Sequence, residues 1–145
     1  MGRILGLDVG ERRIGVAVSD PLMLTAQGIE TYTCKDRQAD IAHLTDLVRE
    51  YEAKKVVAGL PVNMNNTEGP QAAYVRELME ELEKACGVPV VYQDERMTTM
   101  QVTKVLLEAD VSRRKRKNVV DKMAAVLILQ AYLDGAAQRS SLNGN

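Results

Sequence analysis

The feature that most constrains this chain is a carboxylate inside an apolar run, in "ILGLDVGERRIGVAVSD", residues 4–20. Two short apolar segments flank Gly10-Glu11-Arg12-Arg13, which predicts a β-hairpin. An ionised carboxylate is tolerated in such a segment only with a partner, or at an edge open to one. Strand alternation puts Ile4, Gly6 and Asp8 on one face, and pairing of Val9 with Ile14 sets Asp8 opposite Gly15. A glycine there leaves room over the carboxylate for an ion or a sugar-phosphate backbone. An Asp before a Gly also caps turns through its own backbone, and the pattern alone leaves both readings open.

The rest of the chain predicts β-β-β-α-β-α-β-α-α. After the hairpin strands (Arg3 to Val9, Ile14 to Ser19), Gly28 to Thr33 is a third strand beyond an Asp20-Pro21 turn. Asp36 to Tyr51 carries Ile41, Leu44, Leu47, Val48 and Tyr51 at helical spacing. Lys54 to Leu60 is a continuous apolar strand of the kind covered on both faces. A polar loop, "PVNMNNTEGP", leads to a helix from about Gly69 to Ala85, striped by Val75, Leu78, Met79 and Leu82, with Gly87 as its C-cap and Thr67 as a candidate N-cap. Val88 to Gln93 is a fifth strand, and helical patterns cover Thr98 to Glu108 and Val119 to Leu133. A meander followed by βαβ crossovers gives an α/β fold: a five-stranded mixed sheet of order 3-2-1-4-5 with helices on both faces. The C-terminal ends of strands one, four and five then share one edge, where sites in such sheets tend to sit.

At 145 residues and 46% hydrophobic the chain suits one globular domain, expected over residues 1–138 with a small polar tail at 139–145 that frays. It has five Tyr and no Phe or Trp, so the core must be aliphatic and base stacking on aromatic rings is a poor prospect. Cys34 and Cys86 lack metal-knuckle spacing and read as free thiols of a reducing cytosol. With no leader pattern and no membrane-length apolar run, a soluble cytoplasmic protein is expected. A net charge of −1 is not that of a generic nucleic-acid binder, so contact with a polyanion would need a local basic patch or bound cations.

Two further acids end apolar elements. Glu95 follows strand five, and Asp121 leads the stripe Ala124, Ala125 and Ile128. Taken singly each has a plain reading: Glu95 pairing with Arg96 at a strand end, Asp121 favouring a helix dipole, with Thr98 and Gln101 as a capping box. Taken together with Asp8, the topology brings three carboxylates to one edge, where they repel unless a cation joins them. Mg²⁺ or Mn²⁺, as two ions, suits oxygen ligands and a phosphodiester substrate. Arg113, Arg114, Lys115, Arg116 and Lys117 form the one basic run, just before Asp121, and could hold flanking phosphates. Arg12 and Arg13 at the hairpin tip, Arg96, and Asn63 with Asn65, Asn66 and Thr67 are further candidates, although the loop residues could equally satisfy their own backbone. His43, the single histidine, is remote in sequence from Asp8, Glu95 and Asp121.

The stretches "GLDVGERRIGVAVSD", "GLPVNMNNTEGP", "DERMTT" and "VDKMAAVLILQAYL" resemble, in order, those of the YqgF/RuvX family of pre-16S rRNA nucleases. The resemblance implies a ribonuclease H-like fold shared with the resolvase RuvC, and a metal-dependent cytoplasmic nuclease that trims the 5′ end of the small-subunit rRNA precursor. The family's acidic positions fall on Asp8, Glu95 and Asp121. Ribonuclease H-type relatives usually carry an acid at the end of strand four, whereas here that end reads Gly59-Leu60-Pro61. Alternatives are a nuclease for branched DNA, acting as a dimer, or a non-catalytic RNA-binding assembly factor. The actin-like ATPase fold, whose first phosphate loop also reads Asp-x-Gly, needs two such domains, more than 145 residues hold.

Overall fold

The computed structural model describes residues 2–94 and 122–135. The strands are β1 (Arg3–Val9), β2 (Arg13–Ser19), β3 (Ala26–Thr33), β4 (Ala53–Leu60) and β5 (Val90–Asp94), and they form one sheet of order β3-β2-β1-β4-β5. β1 pairs antiparallel with β2 and parallel with β4, and β5 continues the parallel half. Helices α1 (Arg37–Glu50) and α2 (Pro70–Cys86) follow β3 and β4, and residues 122–135 are helical (α3). The expected mixed sheet and strand order are therefore present, and the ends of β1, β4 and β5 lie along one edge.

Alternation decides which helix covers which face. Leu5, Leu7, Val56 and Ala58 pack with Leu44, Leu47 and Val48 of α1 and with Val75, Leu78, Met79 and Leu82 of α2. Ile4, Ala17 and Val57 pack on the opposite face with Ala125, Ile128, Leu129 and Leu133 of α3. Both faces of β1 and β4 are thus covered, which is why β4 reads as an unbroken apolar run. Gly6 is where α3 comes closest: a Cβ built there would stand 2.7 Å from Leu129 Cβ and 3.3 Å from the Ala125 carbonyl oxygen. The Gln130 side chain fastens α3 to the edge of the sheet, accepting from the Ala26 amide (2.9 Å) and donating to the Leu24 carbonyl (3.0 Å).

The ends of the helices differ from expectation in one place. Asp36 caps α1 by accepting from the Ala39 amide at 2.8 Å, and Gly87 ends α2 in the left-handed region at φ 76°. Thr67 does not cap α2. The N-cap is Gly69, with Pro70 following, and Thr67 is held inside its own loop by Asn65 and Asn63. The Gly87 cap and Pro89 also delay β5 to Val90.

Asp40, in the first turn of α1, is a buried carboxylate. It accepts from the Tyr32 hydroxyl at 2.8 Å and from the Lys35 amide at 2.9 Å, which compensates its burial. Burial, and then Asp40's hydrogen bond and charge, push the Tyr32 hydroxyl up to about 12 and the Cys34 thiol to about 11. Both groups bind their proton more tightly in the folded chain, so the stability they lend is complete below their ordinary values of 10.0 and 9.0. It is lost as pH rises toward 12 and 11. At pH 8 Cys34 is expected to alkylate far more slowly in the native protein than in urea, as followed by mass spectrometry. Equal rates in the two states would show that the thiol is not held neutral.

Candidate functional site

The site is built around the end of β1. Asp8 is half-buried and pairs with Gly15 across the hairpin, as alternation from the Val9–Ile14 pair requires. On its other side, Leu7 pairs with Ala58 of β4, so the next position along that strand is Gly59, itself paired with Gln93 of β5. The carboxylate therefore stands between two residues that contribute no side chain. It lies on the α3 face, beyond Gly6. This answers why the apolar run carries an acid: Asp8 sits where the buried part of β1 ends, at an edge formed by the C-termini of parallel strands.

The turn beside it is braced. The Gly10 amide donates to the Arg13 carbonyl at 2.9 Å, and the Cys34 amide, just past β3, donates to the Arg12 carbonyl at 2.8 Å. Between this tip and the first turn of α2 lies a cleft of about 310 Å³ lined by Gly10, Glu11, Arg12, Arg13 and Gln71. Gln71 donates to the Val9 carbonyl at 3.2 Å, directly after Asp8. Sequence reasoning did not single out Gln71, and a lone glutamine in a helix's first turn gives no signal for it. Arg12 is exposed and Arg13 half-buried, and both line this cleft at the hairpin tip that follows β1.

Asn63 lies in the exposed loop after β4, where its amide donates to the Thr67 carbonyl at 2.8 Å and its side chain to Thr67 Oγ1 at 3.0 Å. The loop thus satisfies its own backbone through these residues. His43 is on the face away from Asp8, stacked on the Tyr32 ring with centroids 4.1 Å apart and 2.8 Å from Glu30 Oε1. Glu95, Arg96, Arg113, Arg114, Lys115, Arg116, Lys117 and Asp121 lie outside the described residues, as do Thr98 and Gln101. Among the described residues no three His, Cys, Asp or Glu side chains form a cluster able to hold a metal ion, and both cysteines are free. No described helix is long and apolar enough to cross a membrane.

Solved structures share this architecture. Thermus thermophilus RuvC in complex with a Holliday junction substrate superposes with a TM-score of 0.61 at 14% identity, covering 94% of this chain and 97% of that one. The fowlpox virus Holliday junction resolvase gives 0.58 at 14% identity over 92% of this chain and 99% of its own. The mixed sheet of order 3-2-1-4-5 is thus the ribonuclease H-like fold that these structures share.

The family described as "RuvX: Holliday junction resolvase" matches residues 2–135, and the chain belongs to it. A relative from Listeria monocytogenes is 54% identical over 134 residues, 91% of this chain and 97% of that protein. One from Heliobacterium modesticaldum is 53% identical over 135 residues, 93% and 91% of the two chains. Both bear the name "Putative pre-16S rRNA nuclease". The chain is accordingly a nuclease, a hydrolase of phosphodiester bonds.

Proposed function

We propose that this nuclease is metal-dependent, that Asp8, Glu95 and Asp121 together hold two Mg²⁺ or Mn²⁺ ions, and that it acts in the cytoplasm on the 5′ end of the pre-16S rRNA. The observation that carries the reading is Asp8 itself, an acid ending the central strand between two glycine positions at the parallel edge. Two chain directions support it. β5 ends at Asp94, paired with Leu60 at that same edge, and Glu95 is the next residue. In α3, Tyr132 meets Lys55, which pairs with Ile4, while Ala125 lies over Gly6, two strand positions nearer Asp8. The helix therefore runs toward the Asp8 end as its numbering falls, and Asp121 precedes its first described residue, Lys122.

Carboxylate oxygens are the donors that hard divalent cations prefer, and such a set repels itself without them. The bound ions would supply an activated water and stabilise the leaving oxygen. Arg12 and Arg13 line the cleft at the hairpin tip that follows β1, from where they would hold phosphates flanking the cleaved bond, with Arg96, the basic run Arg113 to Lys117 and Asn63 as further contacts. One domain over residues 1–138 would carry all of these groups, as a monomer or a homodimer.

The direct test is cleavage of a 5′-labelled precursor fragment, beside a four-way DNA junction, with Mg²⁺ or Mn²⁺. RNA cleavage that stops on adding EDTA is expected, and activity that persists in EDTA would rule out the metal mechanism. The description of the family favours a second reading, a resolvase for branched DNA. Junction cleavage by a dimer, with the RNA left intact, would establish that instead. Binding of the RNA without cleavage would make the chain an assembly factor.

A further inference from the structure

The loop after β4 presents an apolar side chain to solvent at the Asp8 end of the sheet. Met64 is 89% exposed, against 62% for Leu22 and for Leu24, the other large exposed apolar side chains among the described residues. Those two leucines follow β2, which runs antiparallel to β1, so they lie at the opposite end of the sheet from Asp8. Met64 follows β4, which runs parallel to β1, so it lies at the Asp8 end.

The loop that carries it is held from both sides. Val62 and Glu68 form an antiparallel bridge, and the Asn66 amide closes a turn on the Asn63 carbonyl at 2.9 Å. Asn66 takes the left-handed conformation at φ 69°, which asparagine tolerates better than most residues. Thr67 Oγ1 donates to Asn65 Oδ1 at 2.6 Å and accepts from Asn63 Nδ2 at 3.0 Å. Glu68 is clamped by Arg76 of α2 through two bonds of 2.7 and 2.9 Å, and the guanidinium lies over the Tyr92 ring at 4.7 Å. A tip this well braced fixes the backbone from which Met64 projects.

The chain's aromatic rings offer no alternative surface. It has no Phe or Trp, and each of its five tyrosines already has a ring partner. Tyr32 stacks on His43, and Tyr51, Tyr74, Tyr92 and Tyr132 lie beneath Arg3, Arg37, Arg76 and Lys55. A thioether is polarisable and adapts to flat surfaces, and methionine is among the apolar side chains that wedge between bases. We propose that Met64 packs against an unpaired nucleobase next to the scissile phosphate and so selects substrates that are unstacked there. This inference rests on the nuclease reading of the Asp8 edge.

The test is steady-state cleavage by wild type, Met64→Ala and Met64→Phe, on precursor RNA and on the same RNA with abasic nucleotides beside the cleaved bond. Met64→Ala is expected to raise KM about tenfold with kcat within about twofold, and Met64→Phe to restore KM. On the abasic RNA all three proteins should share one KM. Equal KM for wild type and Met64→Ala on both RNAs overturns the proposal, and so does a loss that persists on the abasic RNA. A benzophenone amino acid placed at position 64 gives a readout that needs no turnover. Crosslinking to the base-bearing RNA and not to the abasic one supports the contact, and crosslinking to neither refutes it. If wild type cleaves nothing, the nuclease reading fails while this crosslink still decides the contact.

Discussion

Replacing Asp8 with asparagine is expected to lower phosphodiester cleavage by about a thousandfold, corresponding to roughly 4 kcal/mol of lost transition-state stabilisation. The substitution keeps the size and planarity of the side chain but removes the charge that a divalent ion would neutralise. β1 should survive it: Asp8 is at the end of the strand, and Leu5 and Leu7, which pack into the core, are untouched. If Glu95 and Asp121 stand beside it, the variant should melt no lower than wild type in metal-free buffer, because one of three mutually repelling carboxylates has been removed. The checks are initial rates at saturating Mn²⁺ and thermal melts followed by circular dichroism. A rate within tenfold of wild type would show that Asp8 is a turn cap and not part of the chemistry.

A large effect on stability is expected from one methyl group at Gly6. In Gly6→Ala the new Cβ would stand 2.7 Å from Leu129 Cβ, an atom fixed to the helix backbone, and 3.3 Å from the Ala125 carbonyl oxygen. No flexible side-chain tip can move aside, so α3 must lift from the sheet. Overpacking of this kind costs about 1–3 kcal/mol, or about 3–10 °C in melting temperature for a domain of this size. Gly28→Ala is the matched control. Its Cβ would meet Lys122 Cγ at 2.8 Å, part of a long side chain able to turn away, so the melt should shift by less than about 2 °C. Equal melts for the two variants would mean that α3 is not seated on Gly6. If Asp121 acts with Asp8, Gly6→Ala should also slow cleavage at temperatures where the protein remains folded, since it displaces the helix that follows Asp121.

The alternation around Asp8 was legible because a hairpin leaves little choice of register. Once Val9 faces Ile14, Asp8 must face Gly15, and it does. The double burial of β4 and the stripe of α2 were equally plain, since Val75, Leu78, Met79 and Leu82 are all fully enclosed. Polar contacts were not legible, because they depend on distances between elements rather than on periods within them. Nothing in the pattern of the sequence marked Asp40, yet it is buried and bonded to Tyr32 on another element. Thr67 had a capping residue's chemistry, but two asparagines of its own loop claimed it first. Of the proposed site, the position of Asp8 and the shared edge were readable. The Gln71 cleft and the presentation of Met64 were not, since both arise from how a loop or helix end docks against its neighbours.

The seating of α3 also sets an order on biosynthesis. Ile4, Ala17 and Val57 come from the first half of the chain, while the residues that enclose them, from Ala125 to Leu133, are made more than sixty positions later. A nascent chain that has already emerged through β4 thus holds that apolar face in water until α3 leaves the ribosome. During that interval the half-finished sheet is a surface to which chaperones, or other nascent copies, can adhere.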